Sequence, residues 1–306
     1  MTDVSTSQIS GQQLQRAEDI LAKALCEYQP AHIFLLLSGG NDSLSTTHFA
    51  ACRLGRPFRV LHINTGIGIP ETRDHVYRVC GLYGWDLLEI RAKEDCGQDY
   101  EQIVIRYGFP GPPQHSIMYR CLKERCLEKL ARDFSGQLML VSGTRLQESA
   151  RRMRLSSAEI HRAGRRVWCA PFHYMSNDEV AAYRSEQNIP ESPVRQKLCL
   201  SGECLCGAFA RPGELKEIEF FFPQTGAYLR ELQCRVRAAG FPWGWDERRP
   251  AWFDSMREAQ KAGQTDAFEA ERTAEIAMLC TSCHGRYERH QAGIDSGPDT
   301  RTKSPE

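Results

Sequence analysis

The sequence predicts an α/β fold: a doubly wound parallel sheet, preceded by an N-terminal helix and followed by a smaller cysteine-bearing, mostly helical C-terminal region. Three observations carry this. From residue 33 to residue 142, apolar runs of strand length alternate with stretches of helical periodicity, the order of a parallel sheet wound by right-handed crossovers. A glycine pair stands between the first apolar run and the first of these helices. With 306 residues, 41% of them hydrophobic and 25% charged, the chain is long and apolar enough to bury a full core.

The elements follow in order. Residues 8–28 form an amphipathic helix, with Leu14, Ala17, Leu21 and Leu25 near one stripe. Residues 33–37 are a buried strand and 44–54 a helix, which makes Ser38 to Ser43 the turn between them. Strands at 58–64, 86–90 and 138–142 alternate with helices at 71–83 and 118–134. Beyond Pro171 the pattern changes to shorter helices and turns, with an irregular stretch, SPVRQKLCLSGECLCGAFARPGEL. The predicted layout is an N-terminal helix (1–30), a nucleotide-binding domain (31–195), a cysteine-bearing region (196–290) and a disordered tail (291–306).

Composition narrows the function class. No apolar run approaches membrane length, and the first twenty residues lack the basic start and apolar core of a signal peptide, so the expected setting is cytoplasmic. Lys and Arg together number 39, as do Asp and Glu, so a nucleic-acid partner must be met by a local patch rather than global charge. Thirteen cysteines in a chain without an export signal point to thiols and metal ligands rather than disulfides.

The turn SGGNDS suits a phosphate. Glycines let the backbone approach an anion, amide N–H groups converge, and the following helix adds the positive end of its dipole. The alternative for an isolated glycine pair is a tight turn without a ligand.

SGGNDS resembles the S-G-G-x-D-S loop of the PP-loop, Rossmann-like ATP pyrophosphatases and of the phosphoadenosine phosphosulfate (PAPS) reductases. Three further segments resemble the PAPS reductase branch in the family's order: HINTGIGIPET (62–72), with Asn64 where the family carries Asp; SGTRLQESARRMR (142–154); and APFHYMSNDEVAAYRSEQNIPESPV (170–194). The resemblance implies that Ser38, Gly39, Gly40, Asp42 and Ser43 hold phosphate or sulfate, with Asp42 ordering the loop or reaching a Mg2+ on ATP. It places Asn64 and Gly66 beside a ribose or adenine edge, and Gly143, Arg145 and Arg152 one loop further on, the arginines clamping phosphate oxygens. Asp42, Arg145 and Arg152 are the expected catalytic residues. Seven arginines fall between Arg145 and Arg166, a concentration that favours a polyanionic partner; the alternative is a solvated basic face.

The cysteines refine the reading. Cys204 and Cys206 stand one residue apart in GECLCGAF, and Cys280 and Cys283 have C-x-x-C spacing in MLCTSCHG. Two such pairs make a four-thiolate site, either a four-iron iron–sulfur cluster or a structural zinc; the glycines beside Cys204 and Cys206 favour the cluster. Cys121 and Cys199 are reserve ligands, and Cys96 is unassigned. The E-C-G-[IL]-H motif that carries the nucleophilic cysteine of assimilatory sulfonucleotide reductases is absent. The resemblance therefore runs to the PAPS reductase-like, ATP-using sulfur-transfer proteins of the DndC/SspD type. It implies DNA as partner in preference to tRNA, a cysteine desulfurase as sulfur donor, and other modification-complex subunits. Sulfonucleotide reduction, tRNA thiolation and a non-catalytic nucleotide-binding subunit with zinc are the alternatives.

Overall fold

The structure is a computed structural model that describes residues 11–148 and 158–250. A six-stranded sheet forms its centre. Strands β1 (His32–Leu36), β2 (Arg59–Asn64), β3 (Leu87–Arg91), β4 (Leu138–Val141), β5 (Ile160–Ala163) and β6 (Arg166–Cys169) lie in the order β3-β2-β1-β4-β6-β5. All neighbours run parallel except the edge pair β5·β6. Helices cover both faces, so the expected α/β doubly wound class is the class observed.

Strand alternation sorts the core into two layers. Ile33, Leu35, Leu37, Val60, Met139, Val141 and Cys169 face α1 (Gly11–Tyr28), α2 (Asn41–Arg53) and α3 (Pro70–Tyr83). Phe34, Leu36, Leu61, Ile63, Leu138, Leu140 and Trp168 face the opposite layer. That layer is built from α4 (Ala92–Cys96), α5 (Tyr100–Tyr107), α6 (His115–Tyr119) and α7 (Arg125–Asp133).

Beyond the sheet lie α8 (Asn177–Glu186), α9 (Pro193–Leu198), α10 (Glu214–Phe221) and α11 (Pro223–Ala238). α8 starts at a capping box, with the Ser176 hydroxyl accepting from Glu179 N–H and the Glu179 carboxylate accepting from Ser176 N–H. Leu198, Leu205, Leu215, Ile218, Leu229, Leu232, Val236, Trp243 and Trp245 join the same core cluster as Leu61 and Leu140, so the described C-terminal helices share the sheet's core. The tail 291–306, Arg151, Arg152, Arg154, Cys280 and Cys283 lie outside the described residues.

Two local departures from the sequence reading have physical causes. The helix expected over 118–134 is continuous, but a π turn at Arg120–Glu124 separates α6 from α7 and re-aims the residues within it. The β5–β6 hairpin was hidden because its strands are short and interleaved with arginines, which mask the period-two pattern. Among the described residues, no helix is long and apolar enough to cross a membrane.

Candidate functional site

The carboxyl ends of β1 and β4 frame the site, at the crevice where strand order reverses on either side of β1. β1 delivers Leu37 to the turn, and buried His62 fixes the exit by donating from Nδ1 to the Leu37 carbonyl at 2.8 Å. Gly39 takes φ +81°, and a Cβ there would stand 2.5 Å from Thr72 Cγ2, so the loop packs tightly on α3. Within it Ser43 Oγ donates to the Gly40 carbonyl (2.9 Å) and accepts from Ser38 N–H (3.2 Å). With that proton committed, the Ser38 hydroxyl is the donor of the 3.0 Å Ser38–Ser43 contact. The two serines thus fold the loop. Gly40, the N-cap of α2, has no side chain to satisfy the first-turn amides, the arrangement that suits an anion.

Gly143, after β4, lets a second loop touch this turn: a Cβ would fall 2.7 Å from Ser43 Cα and 2.8 Å from Ser43 N. Two residues on, buried Arg145 reaches Asp42 Oδ1 (3.0 Å), the Met175 carbonyl (3.2 Å) and Asn177 Oδ1 (2.8 Å). One guanidinium therefore ties the Ser38–Ser43 turn to the start of α8. Asp42 keeps a third of its side chain exposed, available to a cation or a substrate.

These residues line a cleft of about 430 Å³, with Ser38, Gly40, Asp42, Ser43, Gly143 and Arg145 at one part. The same cleft is lined by Cys199, Cys204 and Cys206. Their loop is strapped down along its length: Thr72 Oγ1 donates to the Ser201 carbonyl (2.8 Å), Thr65 Oγ1 to Glu203 O (2.8 Å), Leu205 N–H to Ile67 O (2.8 Å), Trp245 Nε1 to Leu205 O (2.7 Å) and Tyr100 Oη to Cys206 O (2.9 Å). Hydrogen bonding to Cys206 holds the Cys204 thiol below the ordinary range against the burial that raises it, and the Lys123 charge acts in the same direction.

Lys123 is a residue that the sequence reading missed. The π turn places it in the cleft wall, paired at 3.0 Å with Glu203, with side chains 6% and 8% exposed. His115 and Phe209, with ring centroids 4.7 Å apart, form another part of the wall. The sequence signal was the placement of Lys123 two residues after Cys121 and of Glu203 immediately before Cys204, but charge pairing across eighty positions has no local pattern.

Asn64 and Gly66 sit at the end of β2 but do not line the cleft. The Asn64 amide donates to Glu89 Oε1 (3.1 Å) and its carbonyl accepts from Gly66 N–H (2.9 Å). Glu89 also accepts from Arg73 Nε (2.6 Å), Arg73 Nη2 (2.8 Å) and Tyr77 Oη (3.0 Å). The Arg73 hydrogen bonds, more than those of Asn64 and Tyr77, bring the Glu89 carboxyl down to about 2. A depressed carboxyl stabilises the fold above its unfolded value, and that stability is lost as pH falls through the folded value. Glu89→Gln is expected to cost about 1–2 kcal/mol at pH 7, less than the full shift implies because Arg73 is solvated. In urea titrations the gap from the parent chain should close as pH falls from 4.5 towards about 2.

Cys121 packs against the core, where burial raises its thiol. Among the described residues, no three His, Cys, Asp or Glu side chains are grouped to hold a metal ion. The hairpin arginines have local partners: Arg162 Nε donates to Gly164 O (3.1 Å), and Arg165 donates to the carbonyls of Ala131 and Phe134 at the end of α7.

The phosphoadenosine phosphosulfate reductase domain model matches residues 32–206, more than half of the chain. An uncharacterized protein of Methanocaldococcus jannaschii is 25% identical over 63% of this chain, and the match spans 39% of that protein. An adenosine 5'-phosphosulfate reductase of Allochromatium vinosum is 28% identical over 58% of this chain and 68% of its own length. Among solved structures, a phosphoadenylyl-sulfate reductase from Candida auris in complex with phosphate is 14% identical, with a TM-score of 0.46 over 62% of this chain and 93% of that one.

Proposed function

From its membership of the phosphoadenosine phosphosulfate reductase domain family, to which this chain belongs, we propose that it is an ATP-dependent sulfur-transfer enzyme acting on a nucleic-acid acceptor, of the DndC/SspD type that installs phosphorothioate in DNA. One observation carries the reading: a single cleft is lined both by the phosphate-type turn Ser38–Ser43 and by the thiols Cys204 and Cys206. A nucleotide seated on the turn then shares its enclosure with sulfur chemistry.

In this reading the first-turn amides of α2 hold the phosphates of ATP, and Asp42 orients the Mg2+ they carry. Arg145 holds Asp42 in place and keeps positive charge beside the leaving pyrophosphate. The acceptor oxygen attacks the α-phosphorus, pyrophosphate departs, and the oxygen remains bonded to AMP. The outer sulfur of a persulfide formed by a cysteine desulfurase, brought to sulfide level by a two-electron dithiol reductant that leaves as its disulfide, then displaces AMP. Cys204 and Cys206 line the enclosure in which that sulfur must arrive. Arg152 joins the phosphate contacts in this proposal, and Asn64 and Gly66 shape the loop behind them.

Cys204 and Cys206 supply two thiols of a four-thiolate site whose other half, Cys280 and Cys283, lies outside the described residues. Adjacent thiols with one below the ordinary range fit a soft metal or an iron–sulfur cluster. When bound, a four-iron cluster supplies electron transfer and soft-sulfur coordination chemistry. Anaerobically purified chain is expected to be brown and to hold iron with acid-labile sulfide, and Cys206→Ser to bleach it. A colourless protein with zinc supports a structural metal instead.

Sulfonucleotide reduction is the second reading, favoured by the 28% identity to an adenosine 5'-phosphosulfate reductase. The two separate by product. Incubated with ATP, Mg2+, a cysteine desulfurase with cysteine, dithiothreitol as two-electron reductant, and DNA or tRNA, the proposed enzyme releases pyrophosphate and AMP and incorporates sulfur into the nucleic acid. Sulfite release from adenosine 5'-phosphosulfate or its 3'-phosphorylated form, without pyrophosphate release from ATP, would instead establish the reductase.

A further inference from the structure

The layer of helices that carries Lys123 also contains two thiols that the cleft does not use. Cys96, the last residue of α4, is half-buried, and Cys126, in the first turn of α7, is fully buried. Their sulfur atoms stand 3.8 Å apart. Cys96 Sγ also lies 3.6 Å from the Arg125 carbonyl, and the Cys126 thiol donates to the Leu122 carbonyl at 3.6 Å. A disulfide bond is about 2.05 Å long, so about 1.8 Å remains to be closed, within reach of a rotation about one Cα–Cβ bond. Immediately after Cys96 the helix ends at Gly97 with φ +66°, so α4 is a single short turn of helix.

We propose that Cys96 and Cys126 form a reversible dithiol–disulfide pair that acts on the Lys123-bearing wall of the cleft. The bond would close a loop over residues 97–125, which includes α5, His115 and the π turn. It would also remove the thiol donor that now holds the Leu122 carbonyl, one residue before Lys123 and inside that turn. Reduced and oxidised chains thus differ at the place where Lys123 is aimed.

The chemistry closes with glutathione disulfide as oxidant. The Cys96 thiolate attacks one sulfur of glutathione disulfide and releases one glutathione. The Cys126 thiolate then attacks the Cys96 sulfur of the mixed disulfide and releases the second. Two electrons pass to the oxidant, and the two thiol protons end on the two glutathione molecules. Burial raises both thiols, so little thiolate is present and exchange is slow, on the scale of minutes to hours.

The pair is tested on the full chain, without nucleotide or turnover, so its outcome is distinct from that of the sulfur-transfer reading. The protein is equilibrated in glutathione redox buffers, acid-quenched, alkylated and mapped by peptide mass spectrometry. The expected result is a Cys96–Cys126 linked peptide in most chains, reversed by dithiothreitol and lost in both Cys96→Ser and Cys96→Ala. Amide exchange across residues 112–125 should be several-fold slower in the linked protein than in the reduced one. The pair is overturned if Cys126 is recovered as a free thiol while Cys204 and Cys206 take the oxidation, or if Cys96 stays as a mixed disulfide with glutathione. Unchanged exchange across 112–125 in linked protein would remove its action on the cleft wall.

Discussion

Replacing Lys123 with methionine is expected to destabilise the protein by about 3–5 kcal/mol, because it leaves Glu203 as an uncompensated charge in a nearly closed site. For a domain whose total stability is on the order of 5–15 kcal/mol, this is a large fraction. The pair resists interpretation from one variant alone, since desolvation of both ions offsets much of their attraction. The double variant Lys123→Met with Glu203→Met removes both charges at similar volume and should recover most of the loss. Urea unfolding of the parent, both single variants and the double variant gives the coupling directly. A Lys123→Met chain within about 0.5 kcal/mol of the parent would mean that the pair is hydrated and that the cleft wall is not closed around it.

Gly143→Ala should lower ATP affinity at least tenfold, about 1.4 kcal/mol, while the chain remains folded. The reason is steric. The added methyl would meet Ser43 Cα, Ser43 N and the Asp42 carbonyl carbon between 2.7 and 2.9 Å, all of them backbone atoms of the turn proposed to hold the phosphates. No side-chain rotation relieves that contact, so the two loops must part and the first-turn amides of α2 lose their convergence. Gly40→Ala is the milder comparison, since its Cβ would meet Ser201 Cβ at 3.1 Å and the residue already has φ −83°. Calorimetric titration with ATP and Mg2+ orders the two. Equal, parental affinity in both variants would take the turn out of nucleotide binding.

The contrast between these two sites shows what was legible in the sequence. The phosphate-type turn is a local object: Gly39, Gly40 and Ser43 lie within five residues, and the flanking strand and helix announce themselves by period. The parallel run of β1 to β4 followed from the same alternation, because parallel strands need crossovers of helix length, whereas the order β3-β2-β1-β4-β6-β5 is set by the fold. Arg145 was singled out by its motif, yet its partners Asp42, Met175 and Asn177 come from three separate segments that only the fold assembles. Lys123 was illegible because its position depends on one π turn inside an otherwise regular helix, which shifts the facing of the residues by a fraction of a turn. Asn64 was read as lying beside a ribose or adenine edge at the end of a strand. What its sequence could not show is that its amide donates to Glu89 on the neighbouring strand while its carbonyl accepts from Gly66 N–H. The hairpin arginines were read by charge alone, whereas the Arg165 guanidinium serves the last carbonyls of α7.

The placement of Cys204 inside the nucleotide cleft is the claim from which the rest follows, and ligand protection tests it most directly. The chain is alkylated with iodoacetamide in the presence and absence of saturating ATP and Mg2+, with binding verified by calorimetry and each cysteine followed by peptide mass spectrometry. Bound nucleotide is expected to slow labelling of Cys204 and Cys206 at least tenfold, with Cys26 and Cys234, exposed and outside the cleft lining, labelled at unchanged rates. Labelling of Cys204 at the same rate with and without bound ATP would contradict the account, because the phosphate site and the thiols would then not share one enclosure.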